Sequence, residues 1–217
     1  MIHPARIRKL NDQPVQKGSY VLYWMQASVR VTDNPALLYA IQQADELGLP
    51  VVAAFVLTDR YPEANLRHFT FLMEGLEDVE HQLEKLGIRL AVFKAQPDEA
   101  AGRLAGDAAL VVTDRGYLAH QRRWRASLAR QAPCGVWQVE GDAVLPIEEV
   151  SGKIEWAAAT IRRKVPKIWD RFLLPGDPPR APRRDSLGIR SAEAVRPDKE
   201  LLSGLDLDRS VQPAALF

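Results

Sequence analysis

The sequence has few of the features that mark secreted, membrane-spanning and metal-binding proteins. Its 217 residues include a single cysteine, Cys134, which excludes an intramolecular disulfide and a metal site built from several cysteines. No apolar run approaches the ~20 residues that a membrane-spanning helix requires. Residues 1–18 carry basic side chains without the apolar core of a signal peptide. These absences predict a cytoplasmic protein with no membrane partner.

Net charge and nucleotide motifs are also scarce. The 29 basic and 28 acidic residues give a formal net charge of +1, so the overall charge does not indicate nucleic-acid binding and leaves room only for a local basic patch. Neither GxGxxG nor GxxxxGK[ST] occurs, and no GxSxG elbow is present. The four histidines are scattered without metal-ligand spacing. The sequence therefore predicts no standard dinucleotide site, no P-loop, no metal centre and no self-sufficient set of catalytic residues.

Short apolar runs alternate with amphipathic helical patterns along most of the chain. The predicted strands are Tyr20–Trp24, Val51–Val56, Arg89–Phe93, Ala109–Thr113 and Val136–Val139. The predicted helices are Pro35–Leu47, Asn65–Leu86, Pro97–Leu104 and Leu118–Arg130. Continuous apolar strands joined by right-handed helical crossovers are typical of parallel sheets covered on both faces. We therefore predict an α/β fold, a three-layer doubly wound parallel five-stranded sheet of order 3-2-1-4-5.

The pattern changes after this alternation. Residues 1–19 are predicted to be an N-terminal extension, residues 20–150 the α/β domain, and residues 151–217 a helical segment with a linker. Within the last region, Glu155–Leu174 predicts a helix broken at Pro166, and Gly176–Arg184 is rich in proline and arginine. The chain then ends without a further core-forming run, so we expect it to be part of a longer parent protein.

The predicted strand order also locates a ligand site. Open doubly wound sheets bind ligands beyond the carboxyl ends of their strands, where the strand order reverses. That point is a crevice between the first and fourth strands, flanked by the end of the second. The candidate cofactor-binding residues are Met25, Gln26, Ala27, Ser28, Leu57, Asp114 and Arg115. Topology alone does not identify the ligand.

Several residues near this crevice have structural interpretations as well. Asp114 could cap the following helix or contact a ligand. Arg30 and Asp33 are expected to pair and brace the loop into the first helix. Trp124 is expected to pack in the core. The basic cluster Arg162–Lys164 is interpreted as a solvated helix face, with phosphate binding as the second interpretation.

Three segments resemble one known family. They are YWMQASVRVTDNPALLYA at Tyr23–Ala40, FLMEGL at Phe71–Leu76 and ATIRRKV at Ala159–Val165. In order and spacing they are similar to the amino-terminal domain of the DNA photolyase/cryptochrome family. The triplet Tyr23-Trp24-Met25 resembles class II cyclobutane pyrimidine dimer photolyases in particular. The similarity extends from about Tyr20 to Leu174.

The resemblance implies a function for the parent protein. Members of this family split ultraviolet-induced pyrimidine dimers with light-excited, reduced FAD, acting on a dimer flipped out of the duplex. Their α/β domain houses or borders an antenna chromophore, often a deazaflavin or a folate. The FAD site and the DNA groove lie in a C-terminal helical domain of the same protein. For this chain the resemblance implies an antenna-binding domain that is inactive alone, meets damaged DNA through its parent, and carries no catalytic residue.

Two other functions stay open from the sequence. One is a stand-alone nucleotide-binding module of the same sandwich type, although Asp114-Arg115-Gly116-Tyr117 offers a single glycine for a phosphate-binding loop. The other is a non-catalytic interaction domain related to photolyases. Phosphate-binding residues after the first or fourth strand would distinguish a nucleotide-binding module from an antenna domain.

Overall fold

A computed structural model describes residues 2–173 and 178–211. Its centre is a six-stranded sheet. The strands are β1 (Ile7–Lys9), β2 (Tyr20–Met25), β3 (Val51–Leu57), β4 (Arg89–Lys94), β5 (Ala108–Asp114) and β6 (Gly135–Val139). Strands β2, β3 and β5 are buried along their whole length, as their continuous apolar runs predict.

The order of strands in the sheet is β1-β6-β5-β2-β3-β4, and β2 to β6 run parallel. The predicted order of the five parallel strands is therefore confirmed, with the reversal between β2 and β5. The sheet differs from the prediction by one strand, because β1 pairs antiparallel with β6 at the edge. This strand comes from the predicted N-terminal extension, and its sequence, Ile-Arg-Lys, contains no apolar run that could reveal it.

Four helices cover the two faces of the sheet. They are α1 (Pro35–Leu47), α2 (Leu66–Lys85), α3 (Pro97–Ala105) and α4 (Ala119–Gln131). Helices α1 and α2 pack on one face, and α3 and α4 pack on the other. The predicted limits of α1 agree with the structure: the Asn34 side chain accepts a hydrogen bond from the Leu37 amide at 3.0 Å, and Gly48 ends the helix in the left-handed conformation.

Beyond β6 the chain contains only short helices. These are α5 (Ile147–Val150), α6 (Ala158–Arg162), α7 (Trp169–Phe172) and α8 (Lys199–Ser203). The predicted helix over Glu155–Leu174 is interrupted where Pro166 lies in a 3₁₀ turn, and Leu174 and Gly176 lie outside the described residues. In the part of the chain that the structure describes, no helix is both long and apolar enough to cross a membrane.

Residues 186–208, here called the C-terminal segment, pack on the α/β domain. The Ser186 hydroxyl accepts a hydrogen bond from the Arg89 amide at 2.8 Å. Val195 forms a β-bridge with Val92 of β4, and Leu205 is buried in the core on the α1–α2 side. This segment was expected to contribute nothing to a core. Val195, Leu201, Leu202, Leu205 and Leu207 of this segment pack against the core although they form no continuous apolar run.

Candidate functional site

Asp114, the last residue of β5, fastens the loop that follows β2. Its carboxylate accepts hydrogen bonds from the backbone amides of Gln26, Ala27 and Ser28 at 2.7, 2.6 and 2.6 Å. The side chain is buried, and burial raises its pKa although the three amide donors oppose that shift. Asp114 is thus neither a helix cap nor a wall of an open crevice. By holding the loop that follows β2, it closes the space beyond the carboxyl ends of β2 and β5.

The same loop is held at a second point. The Ser28 hydroxyl donates to Asp142 at 2.6 Å, and Arg30 forms an ion pair with Asp142 at 3.1 Å. Arg30 also donates to the backbone carbonyl of Asp33 at 3.2 Å, so the expected brace exists through the backbone and not through the Asp33 carboxylate. The loop is therefore fixed to the last residue of β5 and to a residue that follows β6.

Arg115 belongs to a partly buried polar network beside β6. Its guanidinium pairs with Glu140 at 2.7 Å and with Glu148 at 2.5 Å. The Glu140 carboxylate is almost fully buried and also accepts from the Tyr117 hydroxyl at 2.7 Å and from the Ile147 amide at 2.9 Å. These bonds give the carboxylate and guanidinium groups at this end of β5 and β6 partners within the protein.

A cavity of about 470 Å³ lies on the other side of β2, over the carboxyl ends of β2 and β3 and between α2 and α4. Most of its wall is aromatic or aliphatic. The apolar lining consists of Trp24, Met25, Ala27, Val29, Phe55, Val56, Leu57, Tyr61, Pro62, Ala64, Phe69, Leu72, Pro97 and Trp124. Its polar lining is Gln26, Thr58, Glu63, His68 and Gln121. Among the residues that line it there is no lysine or arginine.

Tyr61 and Trp124 line the side of the cavity nearest α4, and the His120 ring contacts both of them. Tyr61 and His120 contact edge to face with centroids 4.5 Å apart, and His120 and Trp124 contact at 4.9 Å. Burial lowers the pKa of His120, and the nearby Arg123 adds to that shift. Both effects favour the neutral form of the imidazole. Its Nε2 atom is buried and has no hydrogen-bond partner among the described residues.

Gln26 connects the cavity to the polar network. Its Oε1 accepts a hydrogen bond from Arg125 Nη1 at 3.0 Å, while its Nε2 is buried without a partner in the described part of the chain. Arg125 is held in turn by Gln138 at 3.0 Å and by the Gly116 carbonyl at 2.6 Å. Because Oε1 faces a cation, the amide orientation is defined and Nε2 is left as an unsatisfied donor at the cavity wall.

The structure divides the predicted site residues into two groups. Met25, Gln26, Ala27 and Leu57 line the cavity. Ser28, Asp114 and Arg115 do not line it, since their polar groups bind other parts of the protein. The cavity lies beside the predicted crevice, toward β3, because the loop after β2 fills the space between β2 and β5.

Sequence reasoning missed part of the wall. Tyr61, Phe69, Leu72 and Gln121 were not proposed, and Trp124 was assigned to packing. A signal existed for Phe69 and Leu72, which open an amphipathic helix that follows the carboxyl end of a central strand. Tyr61 and Trp124 gave no such signal. They meet at the cavity because the β3–α2 loop folds against α4, and the sequence pattern does not show that contact.

Comparisons with known proteins agree with this fold. The model of the DNA photolyase family matches residues 21–183. A deoxyribodipyrimidine photo-lyase from Methanothermobacter thermautotrophicus is 46% identical over 176 residues, which is 81% of this chain and 40% of that protein. The Arabidopsis thaliana deoxyribodipyrimidine photo-lyase is 28% identical over 202 residues, covering 89% of this chain and 41% of the relative. The chain thus spans about 40% of the length of these curated relatives.

Solved structures show the same architecture. An archaeal photolyase from Sulfolobus tokodaii superposes with a TM-score of 0.64 at 14% identity, over 91% of this chain and 43% of its own. A class III photolyase from Agrobacterium tumefaciens gives 0.59 at 22% identity, over 79% of this chain and 37% of its own. The family match covers most of the chain and the sheet has the expected order. The chain belongs to the DNA photolyase family.

Proposed function

We propose that this chain is the antenna-binding domain of a light-dependent DNA repair enzyme that splits pyrimidine dimers. The observation that carries the proposal is the aromatic-lined cavity of about 470 Å³ at the carboxyl ends of β2 and β3. Its volume lies within the ~300–1,000 Å³ range of small-molecule sites. Doubly wound sheets bind ligands at this edge.

The wall suits a planar conjugated ring system. Tyr61, Trp124 and Phe55 offer faces and edges against which a ring can pack. The unsatisfied Nε2 of Gln26 would find a partner in a carbonyl or ring nitrogen on the ligand's edge. With no lysine or arginine among the lining residues, the cavity favours the ring over a phosphate. A deazaflavin or a folate is the type of chromophore we propose.

When bound, such an antenna absorbs light and passes the excitation energy to FAD. The residues of this chain hold the ring and exclude water from it. The solved Sulfolobus photolyase contains two FAD molecules and implies a novel light-harvesting cofactor in that protein. A second chromophore beside FAD therefore has a precedent among proteins of this fold, which supports the proposal.

We further propose that the catalytic FAD and the damaged DNA bind a C-terminal helical domain of the parent protein. The curated relatives are more than twice as long as the matched segment. Residues after β6 leave apolar side chains exposed, among them Ile154 at 72% and Trp156 at 91%. Such surface is suited to an interface with another domain. We also propose that the parent protein is cytoplasmic and that it is a class II photolyase.

Ligand titration of the purified chain tests the antenna site. We expect a deazaflavin or a reduced folate to bind, with quenching of tryptophan fluorescence because Trp24 and Trp124 line the cavity. Gln26→Leu should weaken binding by about tenfold, since it removes one hydrogen-bond donor. Gln43→Leu, on α1 and away from the cavity, is the matched control and should bind normally.

The alternative of a stand-alone nucleotide-binding module predicts the opposite result. A thermal shift with ATP or AMP and none with deazaflavin, folate or flavin would contradict the antenna assignment. No structural observation favours this alternative, because the residues that line the cavity include no phosphate-binding cation and no glycine.

A further inference from the structure

A second concave surface lies outside the cavity and has a different chemistry. It is a groove of about 770 Å³ between α4 and the N-terminal residues around β1. Arg8, Arg122, Arg123, Arg125 and Arg130 contribute to its lining. Asp12 is the acidic residue that lines it. For a chain with a formal net charge of +1, this is a strong local concentration of positive charge.

Helical spacing brings the arginines of α4 to one surface. Arg122, Ala126 and Arg130 follow one another at steps of four residues, so they share a face of the helix. Arg122 and Arg130 stand about 12 Å apart along the axis, at ~1.5 Å per residue. The short side chain of Ala126 leaves the floor between them open. Pairing of β1 with β6 adds Arg8 to the opposite wall.

In the described part of the chain these arginines form no salt bridge, and Arg8 interacts with Glu148 only at longer range. Among the described residues, no carboxylate lies within 4 Å of the guanidinium nitrogens of Arg8, Arg122, Arg123 or Arg130, in contrast to Arg103 and Arg115. Arg125 is buried and bonds only to neutral oxygens, and burial lowers its pKa to about 10. Clustered like charges repel each other, so the groove carries an electrostatic cost that a bound polyanion would offset.

We propose that this groove binds the phosphodiester backbone of double-stranded DNA. Guanidinium groups form paired hydrogen bonds with phosphate oxygens, and several of them spaced along a helix can follow successive phosphates of one strand. Sequence-independent contact is expected, because arginines aligned along a helix face recognise the backbone and not the base edges. The choice of DNA over another polyanion rests on the proposed function.

Fluorescence anisotropy of the full 217-residue chain with a labelled, undamaged duplex of about 25 base pairs tests this. We expect weak binding at low salt, with log K falling linearly against log salt concentration. Arg122→Ala together with Arg130→Ala should reduce the slope by about 2 and weaken binding at least about tenfold. Alanine is a good helix former, so α4 should persist, and circular dichroism can verify it.

The matched control removes the same charge elsewhere. Arg67 and Arg190 are exposed and lie outside the groove, so their double replacement by alanine should leave the slope and affinity nearly unchanged. Equal losses in both double variants, absence of binding at about 20 mM salt, or tighter binding to duplex RNA would each overturn the proposal. The chromophore titration is independent of these outcomes, so failure of the groove and failure of the antenna site are distinguishable.

Discussion

The carboxyl edge of the sheet has two halves that use their space in opposite ways. On the β5–β6 side, carboxylates and guanidinium groups bind one another and the backbone, and the space is filled. On the β2–β3 side the walls are apolar and a cavity of about 470 Å³ is left. Gln26 and Arg125 connect the halves through one hydrogen bond of 3.0 Å.

This difference explains why the cavity lies beside the point where the strand order reverses, and not at that point. The reversal of strand order separates the connections leaving β2 and β5, and a pocket could form between them. Here Asp114 draws the loop after β2 across that space. The loop then forms one wall of a cavity shifted toward β3. The polar half, whose groups are paired with one another, thus borders an apolar half that keeps a cavity.

Asp114→Ala should have the largest effect on this arrangement. The substitution leaves three backbone amides without their acceptor in a buried position, so we expect a loss of about 3 kcal/mol or more in unfolding free energy. Urea denaturation measures it. Asp107→Ala, on an exposed residue just before β5, is the control and should change stability by less than about 0.5 kcal/mol. A loss below about 1 kcal/mol for Asp114→Ala would show that the loop is fixed by other contacts.

Gly116→Ala should have an intermediate effect. A Cβ atom at this position would lie 2.2 Å from Gln121 Oε1, which accepts a hydrogen bond from the Leu118 amide at 3.2 Å. The glutamine must move, and we expect a cost of about 1 kcal/mol from the lost cap. Gly152→Ala meets no atom within 4 Å and serves as the control in the same thermal or urea experiment. Equal stability of the two variants would mean that the polar half is not tightly filled.

Ala64→Leu should have the smallest effect on stability and a clear effect on binding. Ala64 lines the cavity, so added carbon atoms enter open space and the unfolding free energy should change by less than about 0.5 kcal/mol. Chromophore affinity should fall by about tenfold because the added side chain occupies part of the site. Exposed Ala159→Leu is the control. Unchanged affinity would locate the chromophore elsewhere.

Most of the sheet could be predicted because its strands are continuous apolar runs between glycines, prolines and charges. The limits of α1 could be predicted because its caps, Asn34 and Gly48, are residues whose capping chemistry is local in sequence. Strand β1 could not be predicted, since a three-residue edge strand is defined by its backbone pairing with β6 and not by its side chains.

The site was predicted less completely, for a physical reason. Topology identified Met25, Gln26, Ala27 and Leu57, which follow the strand ends and do line the cavity. Topology also suggested Asp114 and Arg115, which do not line the cavity. No local pattern in the sequence shows that the Asp114 carboxylate will bind three backbone amides of the loop after another strand. Contacts between segments distant in sequence decide which polar residues are structural. Whether the lining residues bind a chromophore stays a prediction.

The edges of the sheet have a consequence for how this domain behaves in concentrated solution. At one edge, β4 bears a backbone bridge from Val195 of the C-terminal segment. At the other, β1 is three residues long and carries exposed Arg8 and Lys9. Short charged strands and covered strands resist pairing with the edges of neighbouring molecules. Shortening the chain before Val195 would uncover β4 and should make the domain prone to aggregation.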